Sequence, residues 1–136
     1  MIKALLDTDI SLDFVLQRQP FFAEADEIFF RCSNSDFEAY VCDITPLNIF
    51  YIAQKQIGRQ NTIRAINDLL TLAKICTAET VILQKALISL ITDYEDAVQH
   101  ECAVAENLDA IVTRNAKDFK NAVIQIYSPT EFLQVL

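Results

Sequence analysis

Gly58 is the only glycine in a chain of 136 residues, where an ordinary protein has about 7%. Every fold or site that needs several left-handed turns, or backbone pressed against a phosphate, is thereby excluded. There is no Walker loop and no dinucleotide-binding fingerprint. Turns fall instead to Asn, Asp, Ser and Pro, at Ser33-Asn34-Ser35-Asp36, Asn107-Leu108-Asp109, Asn115, Asn121 and Ser128-Pro129.

The length suits one domain spanning residues 1–136, which buries roughly two thirds of its unfolded surface without metal or disulfide staples. Hydrophobic residues make up 52% of the chain, excluding intrinsic disorder. The longest apolar runs, such as Ala4-Leu5-Leu6 and Val81-Ile82-Leu83, are far shorter than the ~20 residues of a membrane span. The first residues reach an acid at Asp7 before a secretory h-region can form, so a cytoplasmic location is expected. Cys32, Cys42, Cys76 and Cys102 form no C-x-x-C pair, and His100 is the sole histidine, leaving zinc no ligand set. In the cytoplasm these cysteines read as reduced, partly buried small apolar residues. The net charge of −8 disfavours a surface that coats nucleic acid. It does not disfavour a metal-dependent nuclease, whose acids hold cations.

Along the chain, strand and helix patterns alternate. Ile2–Leu6 reads as a buried strand followed by a helical turn near Ser11–Leu16. Phe21, Ala25, Ile28, Phe29 and Cys32 keep the 3.6 period of a helix, and Phe37–Cys42 reads as a second strand. Thr45-Pro46 is the signature of an N-cap followed by a first-position proline, with Ile44 stapling onto Ile49. That helix stops at Gly58, and Ile63, Ile66, Leu70 and Ala73 mark a second, so residues 45 to 73 form a helical hairpin. Lys74–Cys76 is a short strand, and Thr77 is expected to cap the next helix. Asp93 caps another, Ala110–Thr113 and Val123–Tyr127 are strands, and Ser128-Pro129-Thr130-Glu131 is a capping box. This alternation predicts an α/β fold, with a mainly parallel sheet of about five strands between helical layers.

In such a sheet ligands bind at the carboxyl ends of strands, where strand order reverses. Asp7 closes the first strand with Asp9 two residues on. Asp93 and Asp96 open a helix, and Thr113-Arg114-Asn115 with Asp118 follows the fourth strand. Taken singly, Asp7 is a turn carboxylate, Asp93 a cap, Asp96 an acid suited to a helix start, and Asp118 a surface acid. Taken together at one crevice, they would repel one another unless cations lay between them, and hard oxygen donors select Mg²⁺ or Mn²⁺.

Three segments, Leu5-Leu6-Asp7-Thr8-Asp9-Ile10, Asp93-Tyr94-Glu95-Asp96-Ala97-Val98-Gln99 and Ile111-Val112-Thr113-Arg114-Asn115-Ala116-Lys117-Asp118-Phe119, resemble in order and spacing a PIN domain of the kind found in VapC-type toxins. The resemblance implies a three-layer α/β/α fold and a Mg²⁺- or Mn²⁺-dependent endoribonuclease, the toxin of a toxin–antitoxin pair. Asp7, Asp96 and Asp118 would be its catalytic, metal-holding acids. The ions would bind the scissile phosphate, activate water and stabilise the leaving oxygen. Thr8, Asp9, Asn48, Asp93 and Asn115 are supporting or alternative ligands, Thr8 by orienting Asp7. Arg114, Lys117 and Lys120 would meet substrate phosphates. Two departures stand out: Asn115 where an acid often follows Thr-Arg, and Asn48 where a Glu is usual. Asp43 and Asp93 are candidates to compensate. The resemblance and the apolar Phe50, Tyr51, Ile63 and Leu70 together point to a homodimer through the hairpin.

Two other readings remain open on sequence alone. Asp7-Thr8-Asp9-Ile10-Ser11 also resembles the start of a haloacid-dehalogenase-type phosphatase, with Asp7 as nucleophile and Asp9 as general acid, although that family's glycine-bearing flap is missing. The third reading is a degenerate PIN fold, inactive through Asn48 and Asn115, that binds protein.

Overall fold

The computed structural model describes all 136 residues. Five strands, β1 (Lys3–Leu6), β2 (Glu38–Cys42), β3 (Lys74–Cys76), β4 (Ala110–Val112) and β5 (Gln125–Tyr127), form one sheet in the order β3-β2-β1-β4-β5. Every neighbouring pair is parallel. Seven helices connect or flank them: α1 (Thr8–Leu16), α2 (Phe22–Ser33), α3 (Ile44–Ile57), α4 (Arg59–Leu72), α5 (Thr80–Leu87), α6 (Tyr94–Ala105) and α7 (Pro129–Val135). A 3₁₀ turn spans Ala116–Phe119. The three-layer α/β expectation is met.

Period-two alternation in the strands divides the core. Ala4, Leu6, Val41 and Val112 face a layer that includes Ile10 of α1, Phe29 of α2, Ile49 of α3 and Leu69 of α4. Leu5, Tyr40, Cys42 and Ile111 face α5 and α6, through Ile82, Ala97, Val98 and Cys102 among others. All four cysteines are free thiols and all are buried, more deeply than expected. With glycine scarce, Gln17, Ser35 and Asn107 take positive φ themselves, the last two within turns read from the sequence. Gly58, at φ +82, separates α3 from α4.

Several boundaries differ from expectation. Helix α1 starts directly at Thr8, so Asp7 is its N-cap residue. Helix α3 is preceded by Asp43 rather than Thr45. Thr45 is fully buried, and its hydroxyl meets that of Thr8 at 3.0 Å. A polar side chain at a buried α1–α3 contact needs such a partner more than a solvent-side cap does. Helix α5 begins after Glu79, not Thr77. Strand β5 starts at Gln125, beyond Val123. Asp93 does cap α6, accepting the Asp96 N–H at 3.0 Å. Ser128 and Glu131 form the reciprocal capping box. No helix is long and apolar enough to cross a membrane.

Candidate active site

The sheet reverses direction of growth between β1 and β4, and the crevice at their carboxyl ends is where acids gather. Asp7 leaves β1 there, its N–H donating to Val112 of β4 at 3.0 Å. Its carboxylate is buried and held at both oxygens: Gln99 Nε2 donates to Oδ1 at 3.0 Å and Thr113 Oγ1 to Oδ2 at 2.7 Å. Burial pushes the Asp7 carboxyl above its ordinary range; these two hydrogen bonds act against that, and Asp9 adds to the rise. The orienting hydroxyl is therefore that of Thr113, not of Thr8, which is engaged with Thr45.

Asp96 lies in the first turn of α6. Its carboxyl is pushed up to about 7, first by burial and then by the negative charges of Asp7, Asp93, Asp118 and Glu95. The β1 end and the 3₁₀ turn after β4 thus bring Asp7 and Asp118 near Asp96 of α6, while Asp118 itself stays exposed.

Asp9 is drawn elsewhere. It accepts from Asn115 Nδ2 at 3.1 Å and from Arg18 at 3.4 Å. Behind it, Asp13 is fully buried and binds Arg114 Nε at 2.6 Å and Arg18 Nε at 2.9 Å. Arg114 also lies 3.7 Å from the centre of the Phe21 ring. The guanidinium expected at substrate phosphates is thus committed to Asp13, because a buried carboxylate without a counter-charge costs several kcal/mol. Lys117 remains exposed beside Asp118. Asp43 accepts from the Ala78 N–H at 3.2 Å, a structural tie to the loop after β3 rather than a replacement acid.

Position 48 holds an amide whose Nδ2 donates to Glu95 Oε2 at 2.9 Å. The carboxylate near this position therefore comes from α6. Burial, and then Asp7, Asp93 and Asp9, raise the Glu95 carboxyl, with the Thr8 hydroxyl acting against them.

A PIN domain model matches residues 3–117. The chain belongs to the PIN domain family. No curated protein matches it. Among solved structures, a toxin–antitoxin complex from Klebsiella pneumoniae superposes with TM-score 0.70 at 22% identity, covering 93% of this chain and 97% of that one. VapBC2 from Rickettsia felis, bound to a DNA fragment from its promoter, gives TM-score 0.69 at 16% identity, covering 93% and 98%. VapC20 from Mycobacterium tuberculosis, a toxin that cleaves the sarcin–ricin loop, gives 0.64 at 9%, covering 79% and 86%. These likenesses establish a shared fold.

Membership of the PIN family sets aside the phosphatase reading of Asp7-Thr8-Asp9. In this PIN domain no three His, Cys, Asp or Glu side chains stand together as a group that could hold a metal ion. The donor chemistry nonetheless suits a hard divalent cation: the acids gathered at this edge offer carboxylate oxygens, and burial, followed by the charges of Asp7, Asp93, Asp118 and Glu95, pushes the Asp96 carboxyl up to about 7. Sequence reasoning gave no role to Glu95, Gln99 or Asp13. Gln99 stands three residues after Asp96 on the same helical face, and Asp13 three after Ile10 on the buried face of α1, so a polar residue on an apolar stripe was the available signal.

Proposed function

We propose that this PIN domain is a Mg²⁺- or Mn²⁺-dependent endoribonuclease, the toxin of a toxin–antitoxin pair. The observation that carries the reading is the PIN-family fold with the Asp7 carboxylate held at both oxygens at the sheet's reversal point, where burial and four neighbouring carboxylates push the Asp96 carboxyl up. Such repulsion is relieved when cations enter. Asp7, Asp96 and Asp118 would hold the ion, with Asp93 and Asn115 supporting from α6 and the β4 loop. A bound ion of this kind supplies Lewis acidity to the phosphodiester and its attacking water. Thr113 and Gln99 aim the Asp7 carboxylate and favour its ionised form against the burial that raises its pKa, and Asn115 holds Asp9 aside. Lys117 would meet a substrate phosphate, while Arg114 acts by anchoring the β4 loop to α1.

The partner reading rests on the fold shared with toxin–antitoxin complexes. An apolar groove of about 380 Å³ lined by Pro46, Leu47, Phe50, Tyr51, Gln54 and Ile66 on the α3–α4 hairpin is consistent with a protein contact there, either an antitoxin or a second copy in a homodimer.

The decisive experiment is incubation of the purified protein with a mixed RNA pool, with Mn²⁺ or with EDTA. Cleavage only with the ion, lost in Asp7→Asn, supports the reading. Absence of cleavage under all conditions, with the protein folded, favours a PIN domain that only binds protein.

A further inference from the structure

Resting on the ribonuclease reading above, we infer that the cavity between α1, α2 and the start of α7 is a nucleobase pocket, fitted to a guanine of the bound RNA. The cavity, of about 220 Å³, lies between Ile10 in the first turn of α1, Arg114 just after β4 and Ser128 just after β5. Those strand ends share the sheet edge with Asp7, so the pocket flanks the acids on the β4–β5 side. It suits a single base rather than a drug-sized molecule, which takes ~300 Å³ or more.

The lining narrows the occupant by charge and shape. The Arg114 guanidinium is pinned through Nε and Nη2 to Asp13 and lies 3.7 Å from the centre of the Phe21 ring, so one wall is flat, rigid and positively charged. A lysine or arginine from a protein partner would meet like charge there, whereas neutral bases stack on guanidinium and aromatic planes. Glu24 brings a carboxylate from α2, its Oε2 fixed by the Thr130 hydroxyl while Oε1 has no partner in the chain. That negative charge turns away phosphate or carboxylate ligands. Ile10, Ala25 and Pro129 add apolar surface between the polar groups. The fitting ligand is therefore planar and uncharged, with hydrogen-bond donors for Glu24.

Among the RNA bases, guanine alone sets two N–H donors, N1–H and N2–H₂, side by side for a carboxylate, with O6 and N7 as acceptors for an arginine. Arg114 Nη1, which makes no bond to Asp13, is the donor left for such acceptors. Adenine and cytosine place an unprotonated ring nitrogen beside the amino group, and a carboxylate repels it. Uracil has one N–H between two carbonyls.

The test is NMR titration of the ¹⁵N-labelled full chain in EDTA with the 5′-monophosphates of guanosine, inosine, adenosine and cytidine. Guanosine monophosphate should shift the amides of Phe21, Glu24, Arg114 and Thr130, and bind about 10-fold more tightly than the adenosine and cytidine nucleotides. Inosine monophosphate, which lacks only the N2 amino group, should bind more weakly than its guanosine counterpart; this comparison uses the wild-type chain alone. Glu24→Gln, which keeps the shape and an acceptor for Thr130, should erase the preference for guanine, and Phe21→Leu should weaken all four nucleotides alike. Equal affinity for the four, shifts confined to other parts of the chain, or a guanine preference kept in Glu24→Gln overturns the pocket. Mn²⁺-dependent RNA cleavage by the wild-type chain judges the ribonuclease reading separately. Its absence with guanine binding intact overturns that reading and not the pocket, and cleavage by a chain that binds the four nucleotides equally does the reverse.

Discussion

Thr113 donates its hydroxyl to Asp7 Oδ2 at 2.7 Å, linking two residues 106 positions apart at adjacent strand ends. The bond lies in a fully buried setting and, with Gln99 on the other oxygen, aims the Asp7 carboxylate and favours its charged form against the burial that raises its pKa. Thr113→Val should therefore cost about 1–3 kcal/mol of stability by leaving a buried acceptor short of a donor. It should also raise the Asp7 pKa further. Thr113→Ser should restore both. Urea unfolding and carboxyl titration by NMR check the two effects, and an unaltered midpoint in the valine variant would remove Thr113 from this role.

Asp7→Asn and Asp96→Asn should each abolish Mn²⁺-dependent RNA cleavage with the fold retained. Full activity in either variant removes that residue from the site.

The Asp96 pKa has a consequence for metal-free stability. Its folded value, about 7, lies above the ordinary 3.8, so the folded state binds the proton more tightly than the unfolded chain. The protein then loses stability as pH rises from about 4 to about 7. Asp96→Asn lacks this penalty. In EDTA its thermal midpoint should match wild type at about pH 4 and exceed it above about pH 7. A constant gap across that range in melting scans would contradict the assignment.

Asp13 holds two arginines from a fully buried position. Asp13→Asn should destabilise the protein by roughly 2–4 kcal/mol, below the range for wholly buried pairs because both guanidiniums keep some solvent contact. Arg114→Met should cost a similar amount. If denaturant unfolding of Arg114→Met is unchanged while RNA affinity falls, Arg114 is a phosphate contact after all.

The hairpin contact predicts that a charge at Leu70, exposed on α4, yields a folded monomer by light scattering. Ile63 is half-buried, so charge there should give the same result with some loss of stability. Unfolding at both positions would mark them as ordinary core.

Much of the layout is decided within a few residues of chain. Period-two and period-3.6 patterns, the Asp93 cap and the Ser128–Glu131 box are local physics, and they were legible without coordinates. The same holds for the placement of Asp7, Asp96 and Asp118 after β1, at α6 and after β4, because an alternating strand–helix chain must bring those points to one edge. What the local signals could not decide is partner choice. Thr45 has the makings of a cap but meets Thr8, since the α1–α3 contact buries it and a buried hydroxyl must be satisfied. Arg114 stands next to the acids in sequence but turns to Asp13, since only the folded chain makes that carboxylate buried. Glu95 reads as one more acid at a helix start until α3 delivers Asn48 to it from 47 positions away. Hydrogen bonds and ion pairs of this range depend on which elements share a layer, and that is set by the packing of the whole sheet.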